Sequence, residues 1–205
     1  MSISNAFFRL GLAVSFFSIS LALIAEPTLE EVVVSARKVN ESVQDVPIAM
    51  SVFTSSDIED AGIERPEDFI ALTPNVVMAN TVNVGDTLVT IRGLTSTRDA
   101  ESNFAFVVDG VLQTNPNAFN RELLDIAQIE VLKGPQGALY GRNATSGAIL
   151  ITTKAPSEES ESTAVIGMGI NNSSKLQYVN SGKMGDNVYT RFSVSTRETD
   201  GEHTN

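Results

Sequence analysis

The 205-residue sequence has no cysteine and no tryptophan, one histidine at position 203, and 14 lysines and arginines against 25 acids, a net charge of −11. Each shortage excludes something. Without cysteine there is no disulfide framework, no thiolate metal site and no cysteine nucleophile. One histidine cannot assemble an imidazole cluster, and no His, Cys or paired-carboxylate constellation converges in the pattern. No enzyme, metal or cofactor is therefore expected. The shortage of cations removes nucleic acid from the partners, because phosphate neutralisation needs clustered Lys and Arg. Charge is also scarce at the start: Arg9 is the one charged side chain in residues 1–25, and an apolar run from Leu10 to Ile24 ends on Ala25. That is the pattern of a secretory signal peptide, with a membrane-anchoring helix as the alternative.

What is present begins with a β-branched run. Val32, Val33 and Val34 lie between acids and small polar residues, and Arg37 to Gln44 follows with no helical period. This reads either as an extended segment on a tether or as an ordinary edge strand. From Val46 the chain gains alternating and helical patterns. Residues 46–53 alternate as a strand does. Ser56 and Glu59 have capping-box spacing for a short helix ending at Gly62, and Pro66 opens a second helix with Phe69, Ile70 and Leu72 on its apolar side. Residues 87–92, 103–108, 128–132 and 148–153 read as strands, with a helical turn from Leu123. Asp109-Gly110 marks a tight hairpin turn, because a type I′ turn wants positive φ at both central residues. The class is α+β with a small mixed sheet.

After Lys154 the texture changes. Residues 155–162 form a polar, acidic linker. Alternating segments follow: Ala164, Ile166, Met168 and Ile170 fall on one face, Leu176 and Tyr178 on another strand's face, and Val188, Thr190, Phe192 and Val194 oppose Tyr189, Arg191 and Ser193. One apolar and one polar face suits antiparallel strands of a transmembrane barrel, and equally a soluble meander.

Residues 128–154 hold the densest glycine spacing. Gly134, Gly137, Gly141 and Gly147 place four of the 14 glycines in 14 positions, where average usage of ~7% predicts about one. No phosphate-binding G-x-x-x-x-G-K-[ST] or G-x-G-x-x-G fits them, which leaves tight turns and close strand packing.

The run Ile129-Glu-Val-Leu-Lys-Gly-Pro-Gln-Gly-Ala-Leu-Tyr-Gly141, followed by Gly147-Ala-Ile-Leu-Ile-Thr-Thr-Lys154, resembles the signature of TonB-dependent outer-membrane receptors at the end of their plug domain. Thr90-Ile-Arg-Gly93, Phe106-Val-Val-Asp-Gly-Val111 and the Glu30-Glu-Val-Val-Val-Ser-Ala36 segment match in the same order. Where the family often has a glycine pair, this chain has Ser146-Gly147.

The resemblance implies a plug domain followed by the first antiparallel strands of a transmembrane β-barrel. It divides the chain into 1–25, signal peptide; 26–45, TonB box and tether; 46–154, plug; 155–162, linker; and 163–205, an incomplete barrel start with length for about three strands of ~9–11 residues. Such a chain is expected to be the leading part of a longer receptor. The implied activity is energy-coupled uptake of a scarce nutrient across the outer membrane, a ferric siderophore or other iron complex first, cobalamin or a carbohydrate otherwise. A periplasmic plug-like module without a barrel is the rival of a different class. The implied partners are TonB, outer-membrane lipid and the small-molecule nutrient.

Residue roles follow from the same resemblance. Glu30, Glu31, Val32, Val33, Val34, Ser35 and Ala36 would meet TonB by strand addition. Arg92, Glu130 and Lys133 would lock the plug to the barrel wall. Asp109, Gly110, Gly134, Gly137, Gly141 and Gly147 would form structural turns. Loop residues Arg98, Asn103, Gln113, Asn115 and Asn117, with Asn120 nearby, would be candidates for touching the nutrient.

Overall fold

A computed structural model describes residues 31–80, 87–96 and 101–200. The signal-peptide region, Glu30 and Arg98 lie outside the described residues. The first elements are two short strands, β1 (Val33–Val34) and β2 (Glu41–Ser42), paired antiparallel. Next come β3 (Met50–Thr54), α1 (Ser55–Asp60), α2 (Pro66–Ala71), β4 (Val76–Asn80), β5 (Thr87–Ile91) and β6 (Leu94–Thr95). The remaining elements are β7 (Phe104–Val108), β8 (Val111–Leu112), a 3-10 helix at Pro116–Asn120, β9 (Ile126–Lys133), α3 (Gly137–Tyr140), β10 (Gly147–Thr153), β11 (Glu161–Met168), β12 (Ser174–Lys183) and β13 (Tyr189–Glu198).

The central sheet has the order β3-β9-β10-β7-β8. Strands β10 and β7 are parallel and the other neighbours antiparallel, so the expected mixed sheet is present. Its residues alternate between two cores. Ile129, Val131, Ile149, Ile151, Phe104 and Phe106 face one side, where α1, α2, β4, β5 and the 3-10 helix cover them. Leu132, Ala148, Leu150, Ala105 and Val107 face the other, under Val34, Ala36, Val46 and Ala144. Burial on both faces explains why β10 reads as an uninterrupted apolar run. In the first core Phe119 stands edge-on to Phe104 and Phe106, with ring centroids 5.2 and 5.1 Å away.

Several local expectations shift. The first helix is capped by Thr54, whose hydroxyl accepts from the Asp57 amide while the Asp57 carboxylate accepts from the Thr54 amide. This is the box expected at Ser56 and Glu59, moved two residues earlier. Thr54 already has the extended backbone a cap requires at the end of β3. Leu72 follows the second helix and is exposed, whereas Phe69 and Ile70 are buried. The helical turn expected from Leu123 is instead the 3-10 turn at Pro116–Asn120, and β4 is an additional strand.

Strands β11, β12 and β13 form a separate antiparallel sheet. Register places Ala164, Tyr178 and Val194 in one cross-strand row and Ile166 beside Leu176. The expected apolar faces therefore merge into one. It is turned to solvent: Ile166 is 73% and Phe192 60% exposed. Lys175, Val179, Ser181 and Arg191 point to the opposite side, where Val179 and Ser181 are buried. Among the described residues β11 and β13 each have a partner on one edge alone.

Candidate functional site

Of the two forms left open for the N-terminal segment, a free tethered stretch and an ordinary edge strand, the structure shows neither outright: the segment pairs with β2 and is docked on the central sheet. Arg37 to Asn40 turn the chain back so that β2 pairs with β1, and the alternation of the segment drives Val34 and Ala36 into the second core, 1% and 0% exposed. Glu31 and Val33 remain exposed. The docking is also polar. Gln128 Nε2 donates to the Val33 carbonyl at 3.0 Å, the Ser35 amide and hydroxyl donate to Glu130 Oε1 at 2.9 and 3.1 Å, and Tyr140 Oη donates to the Ala36 carbonyl at 2.8 Å. Lys38 Nζ stands 5.7 Å from the Tyr140 ring centroid.

Glu130 is 2% exposed, and its second oxygen has no hydrogen-bond partner among the described residues. Burial pushes its carboxyl above the usual range, and the bonds from Ser35 and Ala36 offset this only in part. The Tyr140 phenol is pushed up to about 12, by burial first and by the Glu130 charge second.

The three residues grouped as a lock do not come together. Successive side chains of a strand point to opposite faces, so Glu130 faces the N-terminal segment while Lys133, three positions on, faces the other way. Lys133 Nζ donates to Ser51 Oγ at 3.0 Å and to the Pro74 carbonyl at 3.3 Å. Burial, and then the neighbouring Arg92 charge, hold this ammonium below its usual value. Arg92 does not end a strand as the sequence suggested. It is the first residue of a two-residue turn, Arg92-Gly93, with φ of 51° and 82°, joining β5 to β6. A Cβ on Gly134 would lie 3.1 Å from its guanidinium. Neither cation meets a carboxylate among the described residues.

The turn residues divide. Asp109 and Gly110 have φ of 48° and 79° between β7 and β8, the geometry the pair was expected to adopt. Asp109 also accepts from the Thr153 amide at 2.9 Å and hydroxyl at 3.0 Å, tying down the end of β10. Gly147 is needed for close approach, since a Cβ there would lie 2.3 Å from the Leu132 carbonyl oxygen. Gly134 and Gly141 have positive φ. Gly137 does not fit the turn expectation: it opens α3 with open space around it.

The candidate nutrient loops lie at one end of β7. Asn103 precedes that strand, and the Gln113 amide donates to the Phe106 carbonyl at 2.7 Å, which sends the following chain back toward the same end. Asn115 is exposed there, and Asn117 lies in the 3-10 helix. The Asn103 side chain is engaged in the scaffold. Its amide oxygen accepts from Ser96 Oγ at 2.8 Å and Ser146 Oγ at 3.2 Å, and its nitrogen donates to the Leu94 carbonyl at 3.2 Å. Ser146, standing where a glycine was expected, is itself buried in this polar knot.

Sequence reasoning missed a charged seam between the central domain and the C-terminal sheet. Arg191 of β13 grips Asp125 with two nitrogens, at 2.5 and 2.7 Å, and reaches Glu161 at 2.6 Å. Lys175 of β12 meets Glu64 at 2.8 Å and Glu122 at 3.7 Å, and Arg197 pairs with Glu64 as well. The central domain supplies acids and the strands supply bases. Burial raises the Glu64 carboxyl, yet Lys175 and Arg197 outweigh it and leave it below the usual range. The available signal was parity: Lys175, Arg191 and Arg197 all lie opposite the apolar face of their strands.

Comparison with known proteins agrees with this architecture. A family profile described as TonB-dependent Receptor Plug Domain matches residues 42–148. The chain is 30% identical over 132 residues to the pesticin receptor of Yersinia enterocolitica, covering 64% of this chain and 19% of that protein. It is 28% identical over 184 residues to the vitamin B12 transporter BtuB of Vibrio vulnificus, covering 87% and 29%. The crystal structure of the ferric yersiniabactin uptake receptor FyuA from Yersinia pestis superposes with a TM-score of 0.67 at 27% identity, covering 72% of this chain and 24% of that one. The chain thus spans about a fifth to under a third of the length of these relatives.

Proposed function

This chain belongs to the TonB-dependent receptor plug-domain family, and we propose that it is the leading part of an outer-membrane receptor that imports a scarce nutrient, a ferric siderophore or other iron complex, using energy delivered through TonB. In this reading residues 46–154 are the plug, 155–162 the linker and 163–205 the start of the barrel wall. The observation that carries it is the two-faced C-terminal sheet, apolar outward and bound by its basic face to the plug. A sheet with open edges in hydrocarbon leaves backbone groups unpaired at several kcal/mol each, so β11 and β13 call for further strands. An apolar exterior and a polar, occupied lumen are what such a wall requires.

Residues 30–36 are the segment TonB would grip. The outer membrane has no ATP, and a β-prone segment can take up pulling force through main-chain bonds to an added strand. Arg92 and Lys133, neighbouring cations that meet no carboxylate among the described residues, would face acids of the barrel wall and lock the plug. Glu130 has a different task, since it holds residues 35 and 36. Arg98, Gln113, Asn115 and Asn117 are the plug loop residues offered to the nutrient, and no resident cofactor or catalytic step is invoked.

Likeness to a ferric yersiniabactin receptor supports iron as the cargo. Likeness to a vitamin B12 transporter over more of the chain supports cobalamin as the second reading. Deleting Leu29 to Ala36 from the full-length receptor tests the coupling. Accumulation of the cargo in energised cells is expected to stop while cargo still binds to the surface; continued accumulation refutes the assignment of the segment.

A further inference from the structure

A loop binds its ligand more tightly when it is already held in the bound shape, because less ordering is left for the ligand to impose. The chain between β6 and β7 is held at both of its ends. Ser96 closes the start. Its amide donates to the Val89 carbonyl at 3.0 Å, and its hydroxyl lies 3.1 Å from that carbonyl and 2.8 Å from Asn103 Oδ1. Asn103 closes the end. Its Oδ1 faces the hydroxyls of Ser96 and Ser146 while Nδ2 donates to the Leu94 carbonyl at 3.2 Å, so one orientation of the amide satisfies all three partners. Ser146, directly before β10, completes the neck. Its amide donates to the Asn103 carbonyl at 2.9 Å, its hydroxyl lies 3.1 Å from the same oxygen, and its own carbonyl accepts from the Gly134 amide at 2.9 Å. Beside the neck Arg142 meets Glu101 at 2.8 Å, an exposed pair that adds little.

We infer that Ser96, Asn103 and Ser146 form a clasp that fixes both ends of the loop between β6 and β7, and that the buried Ser146 hydroxyl thereby sets how tightly the receptor holds its nutrient. The inference rests on the nutrient-receptor reading above. It makes Asn103 a positioning residue in place of the nutrient contact that the resemblance implied. Ser96 is 7% and Ser146 1% exposed, so neither side chain reaches a cargo; their effect on binding passes through Asn103 and the two chain ends. The hydroxyl is a feature of this sequence, since Ser146-Gly147 stands where the resembling family often has a glycine pair. Glycine would keep the amide and the carbonyl of this position but not the third bond. A hydroxyl buried to this degree is costly unless it is bonded, and both oxygens of Asn103 lie within its reach. Its removal strands nothing. The Asn103 carbonyl keeps the amide of residue 146, and Oδ1 keeps Ser96. Loss of this hydroxyl therefore loosens the neck and leaves the surrounding sheet bonded.

Ser146→Ala in the full-length receptor is the test. Hydrogen exchange at the amides of residues 96 and 146 should accelerate about fivefold, the effect of one ordinary hydrogen bond on a local opening equilibrium. Asn103→Asp, which keeps the shape but turns an acceptor toward the Leu94 carbonyl, should accelerate both amides further; where it accumulates poorly, Ser96→Ala takes its place. Energised uptake by cells is then followed with ferric yersiniabactin and, separately, with cyanocobalamin. For the probe that the parent takes up, Ser146→Ala should raise the half-saturating concentration at least about twofold, at an unchanged maximal rate and an unchanged urea midpoint. The rise should not exceed the factor seen in exchange, because affinity falls only with the population of the clasped loop. A merely structural role gives the opposite split: a lower urea midpoint and a lower maximal rate, with half-saturation unmoved. That split, or unchanged exchange, overturns the clasp. Faster exchange with unmoved half-saturation overturns its part in nutrient binding alone. A parent receptor that takes up neither probe contradicts the cargo reading and overturns the nutrient role with it, whatever exchange shows.

Discussion

Replacing Arg191 with leucine should loosen the plug from the first barrel strands far more than loss of an ordinary surface ion pair. Asp125 is held by two guanidinium nitrogens at 2.5 and 2.7 Å, its side chain is 8% exposed, and that of Arg191 is 13% exposed. Removing one partner of such a pair leaves a desolvated carboxylate behind, a cost of ~3–5 kcal/mol when burial is complete. Residual exposure of both groups lowers this to about 2–4 kcal/mol. Asp125 stands at the entrance to β9, and its carbonyl accepts from the Lys154 amide at the exit of β10 at 2.9 Å. Hydrogen exchange at Ile126 and Lys154 in the purified full-length receptor is therefore the assay. Arg191→Leu should speed exchange at both amides by roughly 30-fold to several hundred-fold, given a factor of ten per ~1.4 kcal/mol. Adding Asp125→Asn should recover part of the loss, because the stranded charge is gone. A change below about threefold, or a double variant worse by the sum of the singles, would refute the argument.

Three further outcomes follow from the same geometry. Gly147→Ala puts a methyl 2.3 Å from the Leu132 carbonyl oxygen and 3.2 Å from Ile91 Cδ1; it should lower the urea midpoint of the plug, at a cost of at least about 1–3 kcal/mol, whereas Gly137→Ala should be tolerated. Phe119→Ala empties a site packed against Phe69, Phe104 and Phe106 and should cost ~3–5 kcal/mol by the same measurement. The Glu64 carboxyl is held below its unfolded value, so its contribution is complete above about pH 4.5 and is lost as pH falls through the lowered value. The urea midpoint should drop on acidification from pH 5 to pH 3, and Glu64→Gln should flatten that drop.

The parts of the fold that sequence revealed were those set by local chemistry. Asp109-Gly110 requires positive φ wherever it occurs between apolar runs, and the strands on either side adopt it. The faces of β11 to β13 could be read because a period of two survives any change of tertiary partner. What escaped depended on distant residues. Whether Val32 to Val34 hangs free or docks is decided by Gln128, Glu130 and Tyr140, about a hundred positions away, and nothing in a β-branched run announces them. The resemblance groups Glu130 and Lys133 as contacts to a barrel wall; strand parity adds that they leave β9 on opposite faces. The Asp125–Arg191 contact joins two charges that separately look like ordinary surface residues. Only their register, one at a strand entrance and the other on a polar strand face, brings them together.

Fractionation of the native organism most directly tests whether this chain stoppers a channel in the outer membrane. The gene product should sediment with outer membranes, resist alkaline extraction and release intact plug only after the barrel is denatured by heating in detergent. Recovery as a freely soluble periplasmic protein, in which β11 to β13 form a self-contained meander, would contradict it.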